Sequence, residues 1–191
     1  MTIPNGIDAA TFCLRDKTAS RSRLGIPAAR RLIVSAGHLI RGKGHQHVIR
    51  AVRSLVDRGA DVDLRIAGDA GRLEPCEQEL RLLVVELGIQ ERVTFLGRLA
   101  PPDLSQWLSA ADLFCLASGR EGWPNVVNEA VACGTPVVAT AVGGVPQMIP
   151  NRQYGLTIPP ESVHSLNGPL AQALEMQWDR HARAAWGMSP S

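Results

Sequence analysis

Arg31-Leu-Ile-Val-Ser-Ala-Gly37 decides the fold class of this chain. The run is short, apolar and closed by glycine, the mark of a strand buried on both faces rather than of a helix. Working outward, Val48, Ile49, Val52, Leu55 and Val56 recur at the spacing of one helix face, which predicts an amphipathic helix over residues 44–58. Asp63-Leu-Arg-Ile-Ala-Gly68 reads as a second strand. Leu80, Leu83, Val84 and Leu87 place a second helix over 74–87, and Arg92-Val-Thr-Phe-Leu-Gly97 a third strand. Asp103 opens or caps a short helix with Leu104, Trp107 and Leu108 inward. Asp112-Leu-Phe-Cys-Leu-Ala-Ser118 is a fourth strand. A helix over 125–133 stops at Gly134 with Pro136 behind it, and Pro136-Val-Val-Ala-Thr140 is a fifth strand. Gly155-Leu-Thr-Ile158 is a sixth, short one, and helix returns after Glu161 to form a helical tail over 161–191.

Short, continuously apolar strands alternating with helices require a parallel sheet covered on both faces. The expected architecture is therefore α/β: a three-layer, Rossmann-like domain with a parallel sheet of about six strands, wound by right-handed crossovers. In such a sheet ligands bind beyond the carboxyl ends of the strands. There the chain places Gly37, Gly68, Gly97, Gly119 and the pair Gly143-Gly144. Each is either a turn glycine or a place where a ligand meets the backbone closely.

Composition narrows the partners. The 191 residues suit one domain, and 45% hydrophobic with 20% charged residues is ordinary for a globular protein. A formal net charge of +2 gives no case for nucleic acid. The basic residues between Arg15 and Arg31 are too dilute for a lipid-binding cluster and read as solvated surface. Cys13, Cys76, Cys115 and Cys133 form no CxxC pair, so no metal site is expected, and Cys115 and Cys133 fall in apolar runs as small core residues. The first residues lack an apolar leader segment and no run approaches the ~20 residues that span a bilayer. A reduced, cytoplasmic setting follows. Of 20 basic residues only Lys17 and Lys43 are lysines, which singles out Lys43.

Two segments can carry chemistry. Gly37-His-Leu-Ile-Arg-Gly-Lys-Gly44 lies between the first strand and its helix, where cationic side chains and backbone N–H groups suit a phosphate. It spells neither GxxxxGK[ST] nor GxGxxG, which disfavours a Walker loop and a nicotinamide dinucleotide. After the fourth strand, Ser118-Gly-Arg-Glu-Gly-Trp-Pro-Asn-Val-Val-Asn-Glu129 sets Glu121 in a Gly/Pro loop, where apolar burial is not expected, and Glu129 on a helix. The start of that helix, near Asn125 and Val126, points free N–H groups into the same cleft. A carboxylate accepting two vicinal hydroxyls is a way to hold a sugar or ribose. Trp123 beside Glu121 either packs locally or belongs to a face meant for a partner.

With these segments in hand, the chain resembles the family 4 retaining glycosyltransferases of the GT-B fold, specifically their C-terminal donor domain. The likeness runs from Pro4-Asn-Gly-Ile-Asp8 to about Pro160. It passes through Lys43-Gly44, Ala67-Gly68-Asp69, Phe95-Leu-Gly97, Ala111-Asp112, the Glu121-to-Glu129 block, Cys133-Gly-Thr-Pro-Val-Val-Ala-Thr140 and Gly143-Gly144. The resemblance implies transfer of a hexosyl group from a UDP-sugar or GDP-sugar, without a metal or other cofactor. It implies catalytic roles for Lys43, which would neutralise the diphosphate, and for Glu121, which would hold the donor sugar. Glu129 would hold the ribose. Gly37, His38, Arg41, Gly97, Arg98, Leu99, Gly122, Asn125, Val126 and Val127 would complete the donor site, with Gly97-Arg98-Leu99 along the base.

The chain departs from the family at three points. His38 stands where the family has arginine, so either Arg41 swings in or His38 serves the phosphate. Gln147 stands where a Gly-Gly-x-x-Glu pattern is common. The N-terminal acceptor-binding half is expected to be absent. The whole chain, 1–191, then reads as a single donor domain: an excised piece, a truncated product or one subunit of a two-chain enzyme, with any membrane association arising through the missing half. A non-catalytic nucleotide-sugar-binding module is the alternative.

Overall fold

A computed structural model describes residues 6–70 and 75–187. Pro4 and Asn5, Glu74 at the expected start of the second helix, and residues 188–191 of the tail lie outside the described residues. Six strands form one sheet: β1 (Arg31–Ala36), β2 (Val62–Ala67), β3 (Val93–Gly97), β4 (Leu113–Leu116), β5 (Val137–Thr140) and β6 (Gly155–Ile158). Their order is β3-β2-β1-β4-β5-β6, and every neighbouring pair is parallel. This is the expected doubly wound sheet.

The helices are α1 (Lys17–Arg23), α2 (His45–Asp57), α3 (Glu77–Glu86), α4 (Pro101–Ala110), α5 (Asn125–Ala132), α6 (Val145–Met148), α7 (Asn167–Glu175) and α8 (Arg180–Gly187). Because successive strand residues face opposite sides, each strand feeds two cores. Ile33, Cys115 and Val138 pack with Val48 and Val52 of α2, Leu80 of α3 and Leu170 of α7. Leu32, Val34, Phe114, Leu116, Val137 and Ala139 pack with Leu108 of α4 and with Val127 and Val131 of α5. Cys115 and Cys133 are fully buried, one in each core.

Two expectations need correction and two are refined. First, the stretch from Arg15 to Arg31 is not simply solvated. Asp16 caps α1 by accepting from the Ala19 N–H, and α1 buries Arg21, which is 6% exposed. Arg21 reaches Asp112 at 3.1 Å and the carbonyls of Ala110, Pro27 and Arg30. Lys17 meets the same carboxylate at 2.7 Å. Second, Asp103 is not the cap of α4. The helix begins at Pro101, a residue with no N–H to leave unsatisfied, and Asp103 lies in its first turn. Third, the helical segment after Glu161 packs into the domain. A 3-10 turn (Pro160–Ser165) leads into α7, whose Leu170 and Ala173, with Leu166 just ahead of it, complete the first core, and α8 lies against α5. Fourth, of the two places open to Trp123 the local one is taken: a Cβ on Gly144 would stand 2.2 Å from its ring.

Candidate functional site

The strand order reverses between β1 and β4, so the loops leaving these strands part and open a crevice at their carboxyl ends. The loop from β1 carries Gly37 to Gly44, and the loop from β4 carries Ser118 to Pro124. Glycines lock this rim. Gly68 donates to the Gly97 carbonyl at 2.8 Å, and a Cβ on Gly68 would stand 1.9 Å from the Gly37 carbonyl oxygen. Gly44 is left-handed at φ 72, and a Cβ there would stand 1.9 Å from the Ala117 carbonyl oxygen. Gly119 donates to the Gly42 carbonyl at 3.0 Å, and Gly144 to that of Gly122 at 2.8 Å. These backbone approaches fix the two loops relative to each other more tightly than side chains could.

On this rim Lys43 and Glu121 come together. Lys43 ends a 3-10 turn (Arg41–Lys43), and its stem lies over Gly37, where a Cβ would sit 3.5 Å from Lys43 Cδ. Its Nζ donates to both carboxylate oxygens of Glu121, at 2.7 and 2.9 Å. The Glu121 side chain is only 8% exposed. That corrects the expectation of an unburied loop glutamate; the backbone of the loop is itself held, with the turn at Gly143 packed onto the Glu121 and Gly122 carbonyls. An ammonium has three N–H bonds and each carboxylate oxygen more than one lone pair. The pair therefore keeps one N–H and several acceptor sites for a ligand while intact.

Glu129, on the second turn of α5, differs. No ion pair or side-chain hydrogen bond among the described residues reaches it, and burial alone pushes its carboxyl up to about 6. The start of α5 follows Pro124 without a side-chain cap, so the N–H groups of Asn125 and Val126 are available to an acceptor. Asn125 is exposed there and Val126 half-buried. Val127 is wholly buried and its N–H already donates to the Pro124 carbonyl at 2.9 Å, so, against expectation, it belongs to the core and not to the ligand.

His38 and Arg41 do not join the pair. His38 Nδ1 lies 2.7 Å from an Asp69 oxygen, and Arg41 forms a two-pronged ion pair with Glu79 of α3, at 2.8 and 3.1 Å. Gly97 is exposed at the end of β3 with φ 68, Arg98 is exposed, and Leu99 packs against the second core. Two rim residues escaped the assignment of site residues. Asp69, in the quoted Ala-Gly-Asp turn, fixes the His38 ring. His45, the first residue of α2, is buried with Nδ1 3.0 Å from Ser35 Oγ. Burial holds His45 down to about 4 despite the opposing pull of the Gly37 and His38 backbone, so it underlies the loop as a neutral ring. Nothing in its sequence position separates it from an exposed first-turn residue.

Comparison with known proteins gives the family and the fold relatives of the chain. The family model of the group 1 glycosyl transferases matches residues 16–187. The chain belongs to that family. Among curated relatives, the D-inositol 3-phosphate glycosyltransferase of Corynebacterium jeikeium is 38% identical over 162 residues, covering 82% of this chain and 39% of the relative. That of Mycobacteroides abscessus is 33% identical over 180 residues, covering 94% and 40%. The chain thus spans about two fifths of the length of these relatives. Among solved structures, Anabaena HepE in complex with UDP-glucose superposes with TM-score 0.80 at 27% identity, covering 98% of this chain and 50% of that one. The C-terminal domain of LpcC from Francisella tularensis, at TM-score 0.78 and 23% identity, covers 96% and 95% and shares the fold. Among the described residues no helix is long and apolar enough to cross a membrane.

Proposed function

We propose that this chain is the nucleotide-sugar-binding, C-terminal half of a retaining glycosyltransferase, a single donor domain that transfers a hexosyl group once an acceptor-binding half completes the cleft. The reading rests on one observation. A Lys43–Glu121 pair joins the two loops bordering the β1/β4 crevice, and an unpartnered Glu129 lies on α5, the helix that the second loop leads into. Lys43 offers a cation to a diphosphate, Glu121 offers acceptors to sugar hydroxyls, and Glu129 offers an uncommitted carboxylate to a ribose diol. The first N–H groups of α5 add positive potential where the leaving group gains charge. None of these roles calls on a metal ion. A uridine nucleotide is favoured over guanosine because HepE, which shares the fold and 27% identity, is a UDP-glucose complex.

Calorimetric titration of the chain with UDP, GDP, ADP and their sugar conjugates tests the reading. One nucleotide is expected to bind at micromolar to millimolar affinity, and Lys43→Ala and Glu129→Ala each abolish it. Binding by none of them, or binding indifferent to both substitutions, overturns it. Affinity is also expected to fall as the pH drops through about 6, because Glu129 accepts hydroxyl hydrogen bonds only when ionised. Placing arginine at His38 tests whether this histidine serves the phosphate. His38→Arg should bind the nucleotide-sugar more tightly than wild type, because arginine is always charged and can grip a phosphate with two N–H groups, and unchanged affinity would remove His38 from the phosphate.

A further inference from the structure

The opposite end of the sheet holds a cationic cavity that the donor reading does not use. It has a volume of about 180 Å³ and opens at the amino ends of β1, β4 and β5, between them and the start of α8. Lys17, Arg31, Arg180 and Arg183 line it, and Asp112 is the one acidic residue in the lining. Asp112 is already saturated. Lys17 stands at 2.7 Å, Arg21 at 3.1 Å and Arg31 at 3.6 Å, and the Leu32 N–H donates to it at 2.7 Å.

The two α8 arginines have no carboxylate within ion-pair distance among the described residues. Arg180 donates to the Ser109 and Cys133 carbonyls at 3.0 and 3.1 Å. Arg183 is fully buried; it donates to the Gly134 and Gln153 carbonyls at 3.3 to 3.4 Å and lies 5.2 Å over the Trp178 ring, none of which carries a full negative charge. Asp179 and Asp16 act on them from farther away, and Asp179 is occupied capping α8 through the His181 and Ala182 N–H groups. Burial, with Arg180 beside it, draws Arg183 down to about 10, which leaves it charged at neutral pH. Carbonyl dipoles solvate a guanidinium without neutralising it, and a buried cation without a counter-charge is costly. Four lining cations against one lining anion leave a surplus of positive charge in a small enclosed space.

We propose that this cavity is a phosphate-binding site, separate from the donor crevice, in which a compact oxyanion bridges Arg180 and Arg183 of α8 to Arg31 at the head of β1. Six residues of β1 separate the two sites by roughly 20 Å. The proposal does not depend on the donor reading. A ligand there would tie α8 to the sheet.

The Trp178 indole lines the cavity and donates to the Ala173 carbonyl at 2.7 Å, so its N–H resonance is a local reporter. Nitrogen-labelled protein is titrated with inorganic phosphate at ionic strength fixed with chloride. A saturable shift of the Trp178 indole and of the Arg31 and Asp112 amides is expected. Arg180→Gln and Arg31→Gln should each weaken it about tenfold, the worth of one charged hydrogen bond. Arg31 is exposed and one of several partners of Asp112, so its variant keeps the fold if that of Arg180 does not. Lys43→Ala should leave these shifts intact, which separates the site from any phosphate bound in the crevice. A simple alkyl phosphate that saturates more tightly than inorganic phosphate would identify an organic phosphate as the ligand, and equal affinity the free ion. The proposal falls if the Trp178 signal does not saturate, or if it saturates equally in wild type and Arg31→Gln.

Discussion

Asp112 and Glu129 are two largely buried carboxylates of one domain, and they are treated in opposite ways. Asp112, just ahead of β4, is surrounded by Lys17, Arg21 and Arg31 and accepts from Leu32. Burial raises its pKa, but these partners outweigh burial and hold it below its ordinary 3.8. Glu129, on α5, has burial and nothing to oppose it, and rises to about 6. The fold therefore can satisfy a buried acid and does so where the acid is structural. Leaving one unsatisfied beside the crevice costs stability that only a ligand can restore, which is how binding sites differ from cores.

Breaking the satisfied side should have the largest effect. Asp112→Asn leaves Arg21 and Lys17 without their counter-charge and is expected to destabilise the domain by about 3 kcal/mol, read from denaturant midpoints at unchanged slope. The contribution of Asp112 is fully present above its ordinary 3.8, because its folded pKa is depressed, and it is lost as the pH falls further. The gap between variant and wild type should close over the same acidic range; a gap independent of pH would assign the loss to packing instead. Lys43→Met is the intermediate case. It strands a Glu121 carboxylate that is 8% exposed, for an expected loss of about 2 kcal/mol, together with at least about tenfold in nucleotide-sugar affinity. Adding Glu121→Gln should recover most of the stability and none of the affinity, and recovery of both would remove the pair from the donor site.

The same contrast explains what was legible in the sequence. The strands were, because burial on both faces writes a continuous apolar run, and β1 to β6 fall within one or two residues of their expected bounds. So were α2 and α3, whose buried faces are aliphatic. Helix α1 was not, because it buries Ser20 and Arg21, and α8, though inside the expected helical stretch, had no apolar period to mark its bounds, because it buries Arg183 beside Ala184. A helix that docks through guanidinium groups on carbonyls leaves no hydrophobic period to read. That use also gives the arginine bias a structural reason: Arg21, Arg180 and Arg183 each span two or more backbone carbonyls, which a planar fork does and an ammonium does less well. Lys43 meets a single carboxylate and needs no fork. The positions of Lys43, Glu121 and Glu129 followed from motif and resemblance. Burial of Glu121 did not, because it depends on tertiary neighbours such as Lys43, distant in sequence.

Glu129→Gln gives the smallest stability change and the most telling one, because its sign is reversed. Glutamine is nearly isosteric and removes a charge that burial disfavours. A rise from 4.5 to about 6, discounted for the solvent that still reaches this carboxylate, predicts a gain of about 1 kcal/mol at neutral pH. A raised folded pKa means that the ionised wild type bears its full penalty above about 6 and sheds it as the pH falls toward 4.5. The variant should therefore be more stable than wild type at pH 7.5 and equal to it near 4.5. Nucleotide-sugar binding should be lost in the same protein, since a neutral amide is a weaker acceptor for a diol than a carboxylate. A glutamine variant that is less stable than wild type at neutral pH would mean that Glu129 has a protein partner after all, and that the contrast with Asp112 is one of degree. A more stable variant that still binds would leave the unpaired carboxylate without a ligand to explain it.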